Sequence, residues 1–253
     1  MTLAKFCNVS LAIVLSCTAA SAESVDELLE KGDAFDRRFE AAKALSVYLI
    51  AEKADPKNVG ILLRIARQYR HLAQDTTAKK EKLELGRTAL LYAQRAASLA
   101  PNDPETHLSI AITYGKMLPF MGSKEQVETS PRIKNAVDRT LQLDPRSDSA
   151  WHILGRWNRT LAEISGLKRA LAGTLYGSLP KGSKEEAAKA LEKAIALNPN
   201  RLMHYIELGR VYALMGRKND ARKFINKGLA MPDVEKDDPE MKTKGRETLE
   251  KLR

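Results

Sequence analysis

The stretch Ala44-x3-Tyr48-x2-Ala51-x4-Pro56 decides the fold, because its four offsets recur twice more along the chain. Residues at these intervals share one face of a helix, and the proline marks where that helix stops. The further occurrences are Ala89-x3-Ala93-x2-Ala96-x4-Pro101 and Ala187-x3-Leu191-x2-Ala194-x4-Pro199. The pattern therefore predicts a series of similar helices, each with small and large apolar residues on one packed face.

A second signature lies upstream of these helices and combines a small residue with large apolar neighbours. One complete form is Tyr205-x2-Leu208-Gly209-x2-Tyr212. The glycine or alanine lets two helices approach closely, while the large residues fill the groove between them. The other occurrences are Leu28-x3-Gly32, Leu62-x2-Ile65-Ala66-x2-Tyr69, His107-x2-Ile110-Ala111-x2-Tyr114 and Trp151-His152-Ile153-Leu154-Gly155-Arg156-Trp157. Paired signatures of this kind resemble the tetratricopeptide repeat, a two-helix unit that stacks into a solenoid.

The predicted fold is all-α, a right-handed solenoid of about five tetratricopeptide-like helix pairs closed by a polar capping helix. The predicted repeats cover about 25–58, 59–103, 104–147, 148–201 and 202–234, and the capping helix covers about 238–252. The prolines that close successive repeats are 45, 44, 54 and 33 residues apart. A regular repeat has about 34 residues, so the middle repeats must carry insertions.

The largest insertion lies in repeat four and carries apolar residues three or four positions apart. They are Leu161, Ile164, Leu167, Leu171 and Leu175. This spacing predicts an amphipathic helix. Because Gly166 and Gly173 would cost a helix interior only about 1 kcal/mol each, we expect one long helix from about Ser149 to Tyr176. It would be about 40 Å long and would project past the solenoid or fold over it.

Residues 1–22 are predicted to be a signal peptide. Lys5 precedes an apolar run over residues 6–19, and Ala20-Ser21-Ala22 is a small-residue cleavage site. The run is shorter than the roughly 20 residues that a membrane-spanning helix needs. The expected location is the periplasm or the exterior of the cell. Two alternatives stay open: an uncleaved membrane anchor, and lipidation of Cys17.

Composition limits the chemistry available to the exported chain. Both cysteines lie within residues 1–22, so residues 23–253 have no disulfide, no thiol nucleophile and no cysteine metal site. The formal net charge of +10 favours anionic partners, but no dense basic block indicates nucleic acid. The four histidines fall in separate repeats, and no phosphate loop or nucleophile elbow occurs. We therefore expect no enzymatic activity, no cofactor and no metal site.

Five arginines occupy matching positions in the predicted first helices. The ninth residue is Arg67 in repeat two, Arg156 in repeat four and Arg210 in repeat five. The twelfth residue is Arg70 in repeat two and Arg159 in repeat four. Residues three apart share a helix face, and first helices of tetratricopeptide proteins line a concave groove. Arginine suits bidentate capture of carboxylate or phosphate. The five are predicted to bind an anion in the groove, and the alternative is that each pairs with an acid of its own or the next repeat.

The second half of the chain resembles a narrower family, the regulator of microtubule dynamics proteins. The resemblance rests on Leu154-Gly155-Arg156-Trp157, on Lys168-Arg169 in the inserted helix, and on Pro232-Asp233-Val234-x-Lys236-x-Asp238. It covers about residues 104–253 and, more loosely, the earlier repeats. It implies an all-helical domain with a long helix in the penultimate repeat. Some relatives associate with microtubules, and some hold phospholipid in the groove. An exported, bacterial member would not meet microtubules, so that role is not expected here.

Two functions agree with these observations. The first is an exported, non-enzymatic scaffold that engages a protein or peptide partner, acidic where it meets the arginines, through the concave groove. The alternative is a lipid-binding or lipid-transfer module that holds an anionic headgroup on the groove arginines. In that case the apolar insertions would contact the lipid tails.

Cleavage of the predicted signal peptide has a direct test. The natively expressed, purified protein is expected to begin at Glu23, because the small-residue site ends at Ala22. N-terminal sequencing gives the answer. A first residue of Met1 would contradict the prediction, and an acylated Cys17 would support the lipidation alternative.

Overall fold

The computed structural model describes residues 23–177 and 179–253, so the predicted signal peptide lies outside the described residues. Within these ranges every regular element is helical, and no helix is both long enough and apolar enough to cross a membrane. The helices are α1 (Val25–Asp36), α2 (Ala41–Ala54), α3 (Val59–Asp75), α4 (Lys79–Leu99), α5 (Pro104–Met117), α6 (Ser123–Leu143), α7 (Asp148–Ala162), α8 (Gly166–Tyr176), α9 (Lys184–Leu197), α10 (Leu202–Leu214), α11 (Lys218–Ala230) and α12 (Asp238–Glu250). A 3-10 turn, Leu118–Phe120, joins α5 to α6.

Most of the described helices pack in pairs, which confirms the predicted helical solenoid. The pairs are α1 with α2, α3 with α4, α5 with α6, α7 with α9, and α10 with α11. Each pair also contacts the next one along the chain, and α12 packs on α10 and α11. Helix α8 stands apart from this pairing and contacts α6.

The prolines that set the repeat spacing each follow the end of a second helix by two residues. The helices α2, α4, α6, α9 and α11 end at Ala54, Leu99, Leu143, Leu197 and Ala230, ahead of Pro56, Pro101, Pro145, Pro199 and Pro232. A residue that precedes proline is sterically disfavoured in the helical conformation. The helix ends are thus fixed by local chemistry.

Small residues at the predicted offsets bring paired helices close together. Ala44 and Ala187 have no exposed surface. A Cβ added at Gly209 would lie 2.5 Å from Cγ1 of Ile225 and 2.9 Å from the carbonyl oxygen of Ala221. Glycine is therefore required where α10 crosses α11, as the signature predicts.

The prediction of one long helix from about Ser149 to Tyr176 is wrong. Helix α7 ends at Ala162, and α8 begins at Gly166 after three non-helical residues. Serine and glycine together are a usual place for a helix to kink, because serine competes for backbone hydrogen bonds and glycine adds backbone freedom. The pair Ser165-Gly166 supplies this break. Helix α8 then packs against α6, so the insertion folds over the solenoid.

Candidate ligand-binding groove

The first helices of repeats two to five border a cavity of about 1000 Å³. Helices α3, α5, α7 and α10 supply much of its wall, α6 and α8 supply another side, and residues 231–237 close it further. We call this last segment, which leads from α11 to α12, the strap. The volume is at the upper end of the roughly 300–1,000 Å³ found for small-molecule sites.

All five arginines predicted from the sequence border this cavity. They are Arg67, Arg70, Arg156, Arg159 and Arg210. Their role in binding a ligand stays a prediction. Some of the five form ion pairs with carboxylates of the described chain, and the others do not.

Arg159 and Arg210 are held by a buried carboxylate. Glu207 has no exposed surface, and its two oxygens lie 2.5 Å from Nε of Arg159 and 2.7 Å from a terminal nitrogen of Arg210. Burial would raise the pKa of Glu207, but the positive charges of Arg159 and Arg210 outweigh it and hold that pKa well below its usual range. The carboxylate stays ionised, and both arginines are part of the structural framework.

Arg67 is held more loosely at the rim of the cavity. A terminal nitrogen lies 2.9 Å from Asp36, and 47% of the Arg67 side chain is exposed. The Asp36 side chain is only 12% exposed, so the pair is open to solvent on the Arg67 side alone.

Arg70 and Arg156 differ from the other predicted arginines, because neither forms an ion pair with a described residue. Arg70 is buried and donates hydrogen bonds to the hydroxyl oxygens of Ser109 and Thr113, at 3.0 and 3.1 Å. Burial lowers its pKa to about 10, which leaves it positively charged near neutral pH. Arg156 is half-buried and has no hydrogen-bond partner among the described residues. Both arginines line the cavity, and neither lies within ion-pair distance of a carboxylate in the described chain.

Sequence reasoning missed three further cations of the cavity wall. They are Lys116, Arg201 and Lys244. Lys116 is the thirteenth residue of repeat three, one position beyond those counted, while the other two lie outside the compared first-helix positions. Each has a carboxylate partner: Asp237 for Lys116, Asp148 and Glu235 for Arg201, and Glu240 for Lys244.

The strap crosses from repeat five to repeats two and three. Nζ of Lys236 lies 2.8 Å from Asp75 at the end of α3, and Gln74 donates to the Lys236 carbonyl at 3.3 Å. Lys116 of α5 donates to both carboxylate oxygens of Asp237, at 2.6 and 2.7 Å. Burial would raise the pKa of Asp237, but the Lys116 charge keeps it below its usual range. The strap is thus anchored by charge on two earlier helices.

Another part of the cavity wall, formed by α6 and α8, presents uncharged side chains among those described. The wall residues there are Ser123, Gln126, Val127, Ser130, Ile133, Leu171, Ala172, Leu175 and Tyr176. Trp157 of α7 extends this side, with its indole Nε1 donating to the Ser130 carbonyl at 3.0 Å. The cavity is therefore amphipathic, with charge toward α3 and the strap and apolar surface toward α8.

Half-buried His71 and buried His152 lie in the cavity wall, and one ring nitrogen of each lacks a hydrogen bond in the described chain. These are Nδ1 of His71 and Nε2 of His152. Burial, together with the charges of Lys116 and Arg70, lowers the pKa of His71 to about 3. Nδ1 of His152 lies 3.0 Å from Nδ1 of His204. No group of three or more His, Cys, Asp or Glu in the described ranges could hold a metal ion.

A match to one known family spans all of the described residues. The family described as "Regulator of microtubule dynamics protein 1-3" matches residues 22–253. The chain belongs to this family. Its relatives include regulator of microtubule dynamics protein 2 of Macaca fascicularis, 29% identical over 227 residues, and protein 1 of Bos taurus, 27% identical over 239 residues. The alignments cover 86% and 93% of this chain, but 53% and 74% of the relatives. This family member thus spans about half the length of the macaque protein.

Solved structures with a similar fold include a thermophilic TPR protein of Thermus thermophilus. It has a TM-score of 0.63 at 17% identity, and the alignment covers 89% of this chain and 99% of that one. A likeness at this identity concerns the fold alone. The fold is a solenoid of tetratricopeptide-like helices, which commonly serves as a scaffold for protein interactions.

Arg159 and Arg156 should differ in their contribution to stability. The substitution Arg159→Gln is expected to lower the free energy of unfolding by about 3 kcal/mol, because it removes one of the two cations that flank buried Glu207. Arg156→Gln is the matched control, in the same helix and cavity, and should change stability by less than about 0.5 kcal/mol. Urea unfolding followed by circular dichroism gives both values. Equal losses would contradict the division between the two arginines.

His71 should make the protein less stable in mild acid. Its pKa is about 3 in the folded chain and about 6.5 when unfolded, so between these values only the unfolded state takes up the proton. The free energy of unfolding therefore falls as the pH falls from about 6.5 toward 3, by at most about 1.4 kcal/mol per pH unit. Urea midpoints for His71→Gln should vary less steeply between pH 4 and 6, while the control His107→Gln, at a histidine outside the cavity wall, should follow the parent. Parallel profiles for parent and His71→Gln would count against a neutral His71 in the folded protein.

Proposed function

We propose that this protein is a non-enzymatic binding module that holds an anionic lipid in its groove. One observation carries the proposal: Arg70 and Arg156 face a cavity of about 1000 Å³ without carboxylate partners, and the α6–α8 side of that cavity is uncharged. A ligand that satisfies both features has an anionic head and an apolar tail.

The arginine side of the cavity suits a phosphate or carboxylate. A guanidinium group loses hydrogen bonds to water when it is removed from solvent and no protein acceptor replaces them. A bound anion restores such hydrogen bonds. Lys116 borders the same cavity as Arg156, and its ammonium group is already bound to Asp237.

The α6–α8 side suits an acyl chain. Leu171, Leu175 and Trp157 border the cavity there, and each square ångström of apolar surface removed from water contributes about 25 cal/mol. More than half of the surface of Leu171 and Leu175 is exposed in this structure. A bound chain would cover part of that surface.

A protein or peptide partner is the second candidate, and the fold favours it. Tetratricopeptide-like solenoids commonly bind extended or helical peptides in their groove. Such a partner would be acidic where it meets Arg67, Arg70 and Arg156. The lipid comes first because α8 lies along one side of the groove and adds apolar surface there.

The predicted leader supports a role outside the cytoplasm. We propose that the mature chain acts in the periplasm or is secreted, or stays anchored if residues 1–22 are kept or Cys17 is lipidated. The relatives are named for microtubule dynamics. An exported chain would not encounter microtubules, so we propose no microtubule role for this one.

Native mass spectrometry of residues 23–253 after incubation with phosphatidylglycerol and phosphatidylcholine tests the proposal. We expect a one-to-one adduct with the anionic lipid, because the unpaired arginines favour its headgroup. Arg156→Glu should reduce the adduct at least about tenfold, corresponding to about 1.4 kcal/mol. Lys218→Glu, a charge reversal at an exposed residue outside the cavity wall, should leave it unchanged.

Three results would count against a lipid ligand. They are a chain that stays bare, an adduct that Arg156→Glu does not affect, and equal loss with Lys218→Glu. An acidic peptide that binds with the same dependence on Arg156, without any lipid adduct, would favour the second candidate.

A further inference from the structure

Helix α8 carries more of the exposed large apolar side chains than any other described helix. Nine large apolar side chains in the described ranges are substantially exposed, and four of them lie on α8. The exposed fractions are 83% for Leu167, 59% for Leu171, 57% for Leu175 and 40% for Tyr176. Soluble proteins rarely leave such residues contiguous unless the patch contacts something.

The three leucines form one stripe along the helix. They are spaced four residues apart, and residues at this spacing lie on the same face. The helix has 11 residues, which gives a length of about 16 Å. This is too short to cross the roughly 30 Å hydrocarbon core of a bilayer, but a short amphipathic helix can lie in the plane of the interface.

The insertion that carries α8 has only positive charges. Between Glu163 and Glu185 the sequence contains no Asp or Glu. Its basic residues are Lys168, Arg169, Lys181 and Lys184. Basic residues close to an anionic membrane are attracted to its surface. An apolar stripe inside a purely basic segment matches a surface that is both apolar and anionic, and a bilayer with acidic lipids is such a surface.

The stripe is continuous with the cavity. Leu171, Leu175 and Tyr176 border the cavity and are also exposed to solvent. Arg169 fixes the helix in this position, because its terminal nitrogens donate to the carbonyls of Leu161 and Pro180, both at 2.6 Å. A membrane that contacted α8 would therefore lie at the apolar side of the groove.

We propose that α8 docks the protein on an anionic lipid bilayer, with Leu167 and Leu171 inserted among the acyl chains and the positively charged insertion attracted to the anionic surface. This places the apolar side of the cavity against the membrane, where a lipid can pass between bilayer and groove without crossing water. The role given to docking rests on the proposed lipid-binding function. Docking itself is measured separately from lipid binding.

Vesicle sedimentation of residues 23–253 tests docking. This segment contains all described helices and lacks the apolar run 6–19, which could bind vesicles by itself. We expect binding to vesicles of phosphatidylcholine with phosphatidylglycerol, weaker binding to phosphatidylcholine alone, and a decrease with added salt. Leu167→Glu should weaken binding at least about tenfold. The matched control is Leu91→Glu, at a leucine of α4 that is 68% exposed, and it should bind like the parent.

A site-specific probe reports the depth of insertion. Residues 23–253 contain no cysteine, so Leu167→Cys carries a single environment-sensitive dye. Its emission should shift to the blue on anionic vesicles and be quenched by brominated acyl chains, whereas the same dye on Leu91→Cys should respond to neither.

Membrane docking and lipid binding in the groove can fail independently. Absence of vesicle binding, equal losses for Leu167→Glu and Leu91→Glu, or a dye that stays in water would overturn the docking proposal. A concentration-dependent dimer that Leu167→Glu abolishes, without vesicle binding, would assign the stripe to a second copy and also overturn it. A lipid adduct that survives in Leu167→Glu during native mass spectrometry would leave the proposed function standing. Vesicle binding by a chain that never holds lipid would instead reject the proposed function alone.

Discussion

Glu207 keeps its negative charge in the protein interior because two guanidinium groups flank it. The carboxylate belongs to α10, whereas Arg159 belongs to α7, so the interaction joins the first helices of repeats four and five. Both helices border the cavity, and their separation is therefore set by a charge interaction as well as by apolar packing. The same contact occupies Arg159 and Arg210, whereas Arg70 and Arg156 line the cavity without an ion-pair partner in the described chain.

The sequence predicted the features that depend on local chemistry. Pro56 and its counterparts located the helix ends, since a proline restricts the residue before it. Gly209 was correctly assigned to a close helix crossing, because the spacing of small residues reflects packing along one face. The break at Ser165-Gly166 was missed, because the leucine spacing continues across it and periodicity cannot show that the axis turns.

The partners of the site residues could not be predicted from the sequence. Arg159 and Glu207 are 48 positions apart, and Lys116 and Asp237 are 121 apart. No period connects such residues, and many acids in a chain of this composition could have been the partner. The cavity itself arises where the chain departs from the regular repeat. Plain helix pairs leave an open groove, and here an insertion covers one side while the segment after the last repeat closes another.

The strap also affects how the protein unfolds. A solenoid held only by contacts between neighbouring repeats can fray from its ends, one repeat at a time. Here the contact between Lys236 and Asp75 joins residues 161 positions apart, so loosening repeat two also releases the end of repeat five. Loss of the terminal repeats is thereby coupled to the middle of the chain, which favours a single cooperative transition over gradual unravelling. The same long-range closure raises the contact order, and a chain that must close so long a loop folds more slowly than one with only neighbour contacts.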